Sequence, residues 1–262
     1  MLQAQLRGKL TRTEENMEDL LTSNVFGSFK YIPYEDGLSI LLSNSIDSEE
    51  KILSNLLPPI KDVKYFFWPW IQESDCEGCE PDVFITVQQR EDLKFIIFVE
   101  AKYLSGKSSE ADEGTAPSDQ LAREWDNLIS LAEKEKAIPI LLYVTADLGY
   151  PTESISASCR EYEKKRKKEM KVFWISWRKL PSLFSTTDNP ILKDLVMVLQ
   201  LQSLKFFEGL RKVEPINIKW SFKAKVDWSW SAYISLPIYW KYMQKNYNWS
   251  YTIVSQEWRF AD

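Results

Sequence analysis

Three side chains able to support metal-dependent hydrolysis stand at the ends of two apolar segments. Asp82 precedes the apolar residues 83–85, and Glu100 and Lys102 come at the end of the apolar run 95–99. In an extended strand, residues two apart project from the same face, so Glu100 and Lys102 should point together. Asp82 would open the neighbouring strand of a hairpin and reach the same face. Because Mg²⁺ prefers carboxylate oxygens, this spacing predicts a cation site at two strand ends.

Phosphodiester hydrolysis is the chemistry that such a site suits. A bound cation polarises a phosphoryl oxygen and lowers the pKa of water, and a nearby lysine can orient that water or stabilise negative charge. The chain contains no histidine. This excludes Ser-His-Asp and Cys-His nucleophiles, HExxH zinc sites and His-based deaminase sites. The ordinary alternative is an unremarkable Glu-Lys pair at the end of a strand.

The segments Pro81-Asp82 and Glu100-Ala101-Lys102 resemble the signature of the PD-(D/E)xK nuclease superfamily, which includes many restriction endonucleases and repair nucleases. The resemblance covers roughly residues 13–180 by element order. It implies that Asp82, Glu100 and the main-chain carbonyl of Ala101 bind Mg²⁺ or Mn²⁺, and that Lys102 is catalytic.

Two further residues follow from the same resemblance. The family often adds a glutamate from the first helix to the metal site, and Glu18 is the best candidate, with Glu14 and Glu49 as weaker ones. Many relatives also carry a glutamine early in the helix after the third strand, and Gln120 matches by position. Glu18 is therefore expected to be a catalytic and metal-binding residue, and Gln120 a catalytic one.

The elements that must position these residues alternate between helices and strands. A Thr11/Glu14 capping box starts the first helix, which Gly27 and residues 31–33 should end, and Ser118 should cap the helix after the third strand. The other predicted helices span 52–57, 160–171 and 192–210, and the predicted strands span 65–72, 81–87, 94–103, 138–145 and 172–177. Residues 104–117 read as a loop.

This order predicts an α/β fold, namely a restriction-endonuclease-like mixed β-sheet flanked by helices, with an aromatic-rich C-terminal extension. The nuclease-like domain should span residues 1–185, and a helical, Trp-rich extension should span 186–262. Six of the eleven Trp lie between residues 220 and 258. Such aromatics could stack unpaired bases, although they more often form a core or an interface.

The charges are unevenly distributed along the chain. Residues 1–159 carry 14 Lys and Arg against 28 Asp and Glu, whereas residues 160–262 carry 19 against 10. A cation site beside a polyanion-binding surface would have this distribution. The basic run Lys164, Lys165, Arg166, Lys167 and Lys168 is the predicted nucleic-acid contact, and a solvated helix face is the alternative.

The cysteine content and the lengths of the apolar runs indicate which cellular compartment to expect for the protein. Cys76, Cys79 and Cys159 are too few for a disulfide framework, which favours a reducing compartment. Cys76 and Cys79 form only half of a zinc site, which a homodimer could complete. No apolar run is long enough to span a bilayer, and the N-terminus lacks a signal-peptide pattern. We therefore expect a cytoplasmic protein that contacts no membrane, and leave a homodimer open.

The functional expectation is a metal-dependent endonuclease that hydrolyses DNA, and the resemblance suggests a restriction or defence role. A catalytically inactive nuclease fold that binds nucleic acid or serves in assembly is the alternative. A cation-dependent enzyme acting on RNA or another phosphoester is a third possibility.

Overall fold

A five-stranded sheet forms the centre of the described structure. The computed structural model describes residues 18–53, 60–89, 93–103 and 117–206, and the backbone of 219–221 and 231–233. The sheet strands, in spatial as well as chain order, are β1 (Asp62–Phe67), β2 (Val83–Gln88), β3 (Lys94–Ala101), β4 (Ile138–Thr145) and β5 (Val172–Ser176). β1, β2 and β3 pair antiparallel, and β3, β4 and β5 pair parallel, so the sheet is mixed.

Helices cover both faces of this sheet. The α-helices are α1 (Glu18–Phe29), α2 (Leu38–Leu42), α3 (Gln120–Glu135), α4 (Thr152–Arg166), α5 (Leu180–Leu183) and α6 (Pro190–Leu201), with 3-10 turns at Tyr34–Asp36 and Trp177–Lys179. Alternate residues of β3 serve two separate cores. Ile97 and Val99 pack with α1, α2, α5 and α6, whereas Ile96 and Phe98 pack with α3 and α4. A strand covered on both faces explains the unbroken apolar run.

The fold class predicted from sequence is confirmed at the level of an α/β domain with a mixed, helix-flanked sheet. The hairpin of β2 and β3 and the strand Ile138–Thr145 are also as predicted. The chain divides into two compact units, residues 1–207 and residues 208–262. The first unit contains α6, which packs on α1 and α5. In the second unit, β6 (Lys219–Ser221) and β7 (Ser231–Tyr233) pair antiparallel, and the rest of the Trp-rich segment lies outside the described residues.

The first helix ends at Phe29, between Gly27 and residues 31–33, as predicted. The prediction for the second helix is wrong. The helix predicted over 52–57 does not begin at Ile52, which forms an isolated bridge with Ile46; residues 54–59 lie outside the described chain. The short helix α2 was not predicted. The Thr11/Glu14 capping box and the 104–116 loop also lie outside the described residues.

Three predicted helix boundaries differ from those observed. Asp119, not Ser118, caps α3, and its side chain accepts a hydrogen bond from the Ala122 amide. The basic helix begins earlier than predicted, and ends where Lys167 adopts a left-handed conformation at φ 57°. The helix predicted over 192–210 ends at Leu201. No helix in the described part of the chain is both long and apolar enough to cross a membrane.

The Asp119 cap can be tested by substitution. Asp119→Ala should lower the free energy of unfolding by about 1 kcal/mol, because the Ala122 amide loses its acceptor at the start of α3. Asp119→Asn should retain most of the stability, since asparagine caps helices about as well. Urea unfolding of the three proteins measures this. Equal losses for the two variants would show that the capping hydrogen bond contributes little.

Candidate metal centre

A row of neighbouring residues crosses the sheet where β3 ends. The register pairs Val83 with Val99, so Asp82 follows opposite Glu100, and Glu100 pairs with Tyr143 of β4. Directly opposed residues project from the same face of a sheet. The two carboxylates therefore share the face that α3 and α4 cover.

The neighbouring row on this face is aromatic and runs from the exposed Phe66 through the half-buried Phe84 to the buried Phe98. The Phe84 ring stacks on Phe66 with centroids 5.4 Å apart and meets the edge of Phe98 at 5.5 Å. Only 9% of Asp82 and 1% of Glu100 is exposed. Charges at this position have little water to screen them, so their interactions are strong.

Asp82 is held by the backbone of the adjacent strand. Its Oδ2 accepts a hydrogen bond of 2.8 Å from the amide of Ala101, and its own carbonyl accepts one of 3.1 Å from the Trp68 amide. The main-chain carbonyl of Ala101 remains a predicted metal ligand. This bonding fixes the Asp82 carboxylate against the end of β3.

Lys102 connects the sheet to α1. Its ammonium forms close ion pairs with Glu100 Oε1 and, at 3.2 Å, with Glu18 Oε1. Glu18 Oε2 accepts from the Tyr103 amide at 2.7 Å. The Lys102 backbone is fixed on both sides, since its amide donates to Val144 and its carbonyl accepts from Trp177 Nε1. The structure thus brings Glu18, Asp82, Glu100 and Lys102 together.

Glu124 of α3 is a further member of the site that sequence reasoning missed. It is fully buried, and its carboxyl group lies within hydrogen-bonding distance of Glu100. A signal was present, because Glu124 lies between Leu121 and Leu128 at helical spacing, within the buried face of α3. A charged residue within an apolar stripe is unusual unless it has a role.

Of the remaining predicted site residues that the structure describes, one lies beside this cluster and the other does not. Gln120 is the first residue of α3 and lies one turn before Glu124 on the same side of the helix. Glu49 pairs with Lys51 at a different part of the surface, and Glu14 lies outside the described residues.

Burial and mutual repulsion shift the protonation of these groups. Burial, with the charge of Glu100, raises the pKa of Asp82 from 3.8 to about 7. Burial also raises the pKa of Glu100, and that of Glu124 well above its ordinary value, with Glu100 adding to the shift at Glu124. Burial alone would lower the pKa of Lys102, but the charge and hydrogen bond of Glu100, with the charges of Glu18 and Asp82, together outweigh it and raise the pKa. The lysine is therefore an ammonium.

This arrangement can bind a cation through oxygen ligands. Asp82, Glu100 and Glu124 supply three buried carboxyl groups against the single ammonium of Lys102, so a divalent ion that displaced their protons would have carboxylate oxygens to bind. As the side chains stand, with Glu100 paired to Lys102, no three Asp, Glu or Cys side chains in the described residues are arranged to hold an ion.

The cysteines take no part in this centre. The Cys76 thiol contacts the hydroxyl of Ser130 at 3.4 Å, and Cys79 is buried beside Ile71, with which it forms a β-bridge. Burial raises the pKa of both thiols, so neither favours the thiolate that binds zinc.

A basic groove lies along α4. A cavity of about 1170 Å³ opens between α4, residues 47–51 and the start of β5. Arg160 and Lys164 line it from one side of the helix, and Lys167 and Lys168 line it just beyond the helix end; all four are exposed. The acidic residues Asp47, Glu49, Glu163 and Glu169 also line the cavity. The predicted basic run is thus divided. Lys167 and Lys168 follow the helix, Lys165 lies near Glu161, and Arg166 forms an ion pair with Asp126.

Comparison of the chain with models of protein families, with curated proteins and with solved structures finds no match. The functional proposal therefore rests on the geometry and charge of these residues.

The raised pKa of Asp82 predicts an unusual pH dependence of stability. Between about pH 4 and pH 7 the unfolded chain has released the Asp82 proton while the folded protein keeps it, so the free energy of unfolding should fall as pH rises. We expect a fall of a few kcal/mol for the metal-free protein, since each unit by which the pKa differs between the folded and unfolded states corresponds to about 1.4 kcal/mol.

Urea unfolding in EDTA at several pH values measures this. Asp82→Asn should show a smaller fall, because asparagine does not titrate and can still accept the Ala101 amide. Identical pH profiles for the two proteins would contradict the assignment of this slope to Asp82.

Proposed function

We propose that this protein is a Mg²⁺- or Mn²⁺-dependent nuclease that hydrolyses phosphodiester bonds, with DNA as the expected substrate. The observation that carries the proposal is the convergence of Asp82, Glu100 and Lys102 at the end of β3, on a nearly dry face of the sheet. This geometry fits the PD-(D/E)xK resemblance, in which these residues form the reactive centre.

The energetics of the site also support a cation. Burying carboxylates beside one another is costly unless charge or hydrogen bonds compensate. The ammonium of Lys102 offsets part of this cost through its ion pair with Glu100, but it also pairs with Glu18. A bound divalent ion would supply the remaining positive charge and polarise the phosphoryl group.

The chain's own residues have distinct roles in this proposal. Asp82 and Glu100 would hold the cation through their carboxylate oxygens, with Asp82 held by the Ala101 amide. Lys102 places an ammonium where negative charge develops, and Glu18 fixes its position from α1. The dry aromatic surface of Phe84 and Phe98 keeps these charges poorly screened.

The basic groove supports a polyanionic substrate. Arg160, Lys164, Lys167 and Lys168 line it, and none of the four forms an ion pair among the described residues. Cations along α4 and just beyond its end can contact successive phosphates, and such contacts carry no sequence information. Arg166 is engaged by Asp126 and contributes less to such a surface.

Lys102→Ala separates catalysis from binding. The substitution should lower DNA cleavage on the order of 10²-fold to 10³-fold, because it removes a charge that acts mainly on the transition state. DNA affinity should change little, whereas the metal-free protein should lose stability, because Glu100 and Glu18 lose their ammonium partner. The matched control is Lys94→Ala, which removes the other lysine of β3 at the opposite end of the strand, where it pairs with Glu135.

Plasmid nicking with Mg²⁺, Mn²⁺ or EDTA, together with thermal melts, measures the effect. If Lys102→Ala cleaves as fast as wild type, Lys102 is a structural lysine. If wild type cleaves neither DNA nor RNA with any divalent ion, the inactive binding or assembly module replaces the nuclease proposal. Cleavage restricted to RNA would reassign the substrate.

Removing the groove cations should weaken DNA binding at all sequences. Replacing Arg160, Lys164, Lys167 and Lys168 by Gln should flatten the salt dependence, with each lost phosphate contact reducing the slope of log affinity against log salt by about 0.9. The control replaces four exposed lysines elsewhere by Gln, namely Lys30, Lys61, Lys136 and Lys205. An equal change in both proteins would indicate a general charge effect and remove the groove from the proposal.

A further inference from the structure

Glu124 differs from the other partly or fully buried carboxylates contributed by α3 and α4. Asp126 pairs with Arg166, and Glu161 accepts hydrogen bonds from Ser118 and Asp119. Both of these acids therefore have donors that explain their burial. Glu124 is fully buried, yet neither of its oxygens has a hydrogen-bond donor in the described structure.

The neighbour of Glu124 makes this burial more costly. Its carboxyl group faces Glu100, a second buried acid, whose only cationic contact in the described structure is Lys102. A structural role would call for a donor, and apolar residues would fill the same space at lower cost. Two adjacent buried carboxyl groups, of which only Glu100 has a cationic partner, are instead suited to a shared cation.

We infer that Glu124 is a ligand of the divalent cation proposed for Asp82 and Glu100. The inference rests on the proposed function and extends the site from the sheet to α3. It identifies a centre with carboxylate ligands from three elements, at the start of β2, the end of β3 and the first half of α3. An all-oxygen set favours Mg²⁺ and Mn²⁺ over softer ions.

Lys102 and the cation compete for Glu100 in this arrangement. The ammonium now pairs with Glu100, and Glu18 offers it a second acceptor at 3.2 Å. The cation would take over Glu100 while Lys102 keeps Glu18. Lys102→Met should therefore retain cation binding or strengthen it, because the competing charge is gone.

The decisive experiment measures Mn²⁺ affinity by electron paramagnetic resonance on the full-length protein at pH 8. Glu124→Gln preserves the size of the side chain but removes its charge, so Mn²⁺ affinity should fall on the order of 10-fold to 100-fold. The matched control is Glu133→Gln, which makes the same change at an exposed position of the same helix and should leave affinity unchanged. Glu124→Asp retains the charge on a shorter side chain and should lose less affinity than Glu124→Gln.

Thermal melts with and without Mn²⁺ give a second readout. A cation that binds only the folded state raises the melting temperature, and the rise should be smaller for Glu124→Gln than for wild type or Glu133→Gln. Without metal, Glu124→Gln should melt no lower than wild type, because it relieves repulsion at Glu100. If Glu124→Gln fails to fold, the Glu124→Asp affinity decides, and an unchanged value overturns the inference.

The outcomes separate this inference from the proposed function. Unchanged Mn²⁺ affinity in Glu124→Gln, with DNA cleavage by wild type, overturns the inference alone and leaves Glu124 as a structural acid. Weakened affinity without cleavage of DNA or RNA supports the ligand and overturns the nuclease. If wild type binds no Mn²⁺, both are overturned.

Discussion

Burial of like charge at the end of β3 is the constraint on which the rest of the site depends. Asp82, Glu100 and Glu124 are carboxyl groups with little or no exposure, and Lys102 is the ammonium nearest to them in the described structure. Such a cluster costs free energy in any fold. The surrounding elements hold the cluster in place. The register of β2 and β3 fixes two of the acids, and the packing of α3 on the sheet fixes the third.

The topology explains why the acids gather at this point. β3 is the strand at which the sheet changes from antiparallel to parallel pairing, so its end adjoins both the start of β2 and the end of β4. The antiparallel hairpin delivers Asp82, and the parallel crossover from β3 to β4 brings α3 across the same face. α1, on the other face, reaches around the sheet end through Glu18. One strand end thus receives side chains from both layers of helices.

The sequence alone predicted the site residues whose positions follow from the alternation of side chains along a strand. The pairing of Glu100 with Lys102 and the position of Asp82 opposite them depend only on strand alternation and a short hairpin. The apolar stripe of α3 marks Glu124 as a buried acid, but its approach to Glu100 depends on where α3 packs on the sheet, which no local pattern specifies. The same limit applies to Arg166, which looks like one more surface cation in the sequence but pairs with Asp126. Ser118 and Asp119 are both good caps, and the tertiary contact of Ser118 with Glu161 decides between them.

The position of Lys102 between Glu100 and Glu18 links folding to the proposed chemistry. The ammonium offsets part of the buried negative charge, so the fold can form before any divalent ion binds. On the proposed function, a cation that binds Glu100 leaves Lys102 with Glu18, which is itself held by the Tyr103 amide. Lys102 then stays in the site and does not move into solvent. It lies beside the position where negative charge would develop during hydrolysis. On that proposal Glu18 would retain Lys102, because one of its oxygens accepts from the ammonium and the other from the Tyr103 amide; its role as a metal ligand stays a prediction.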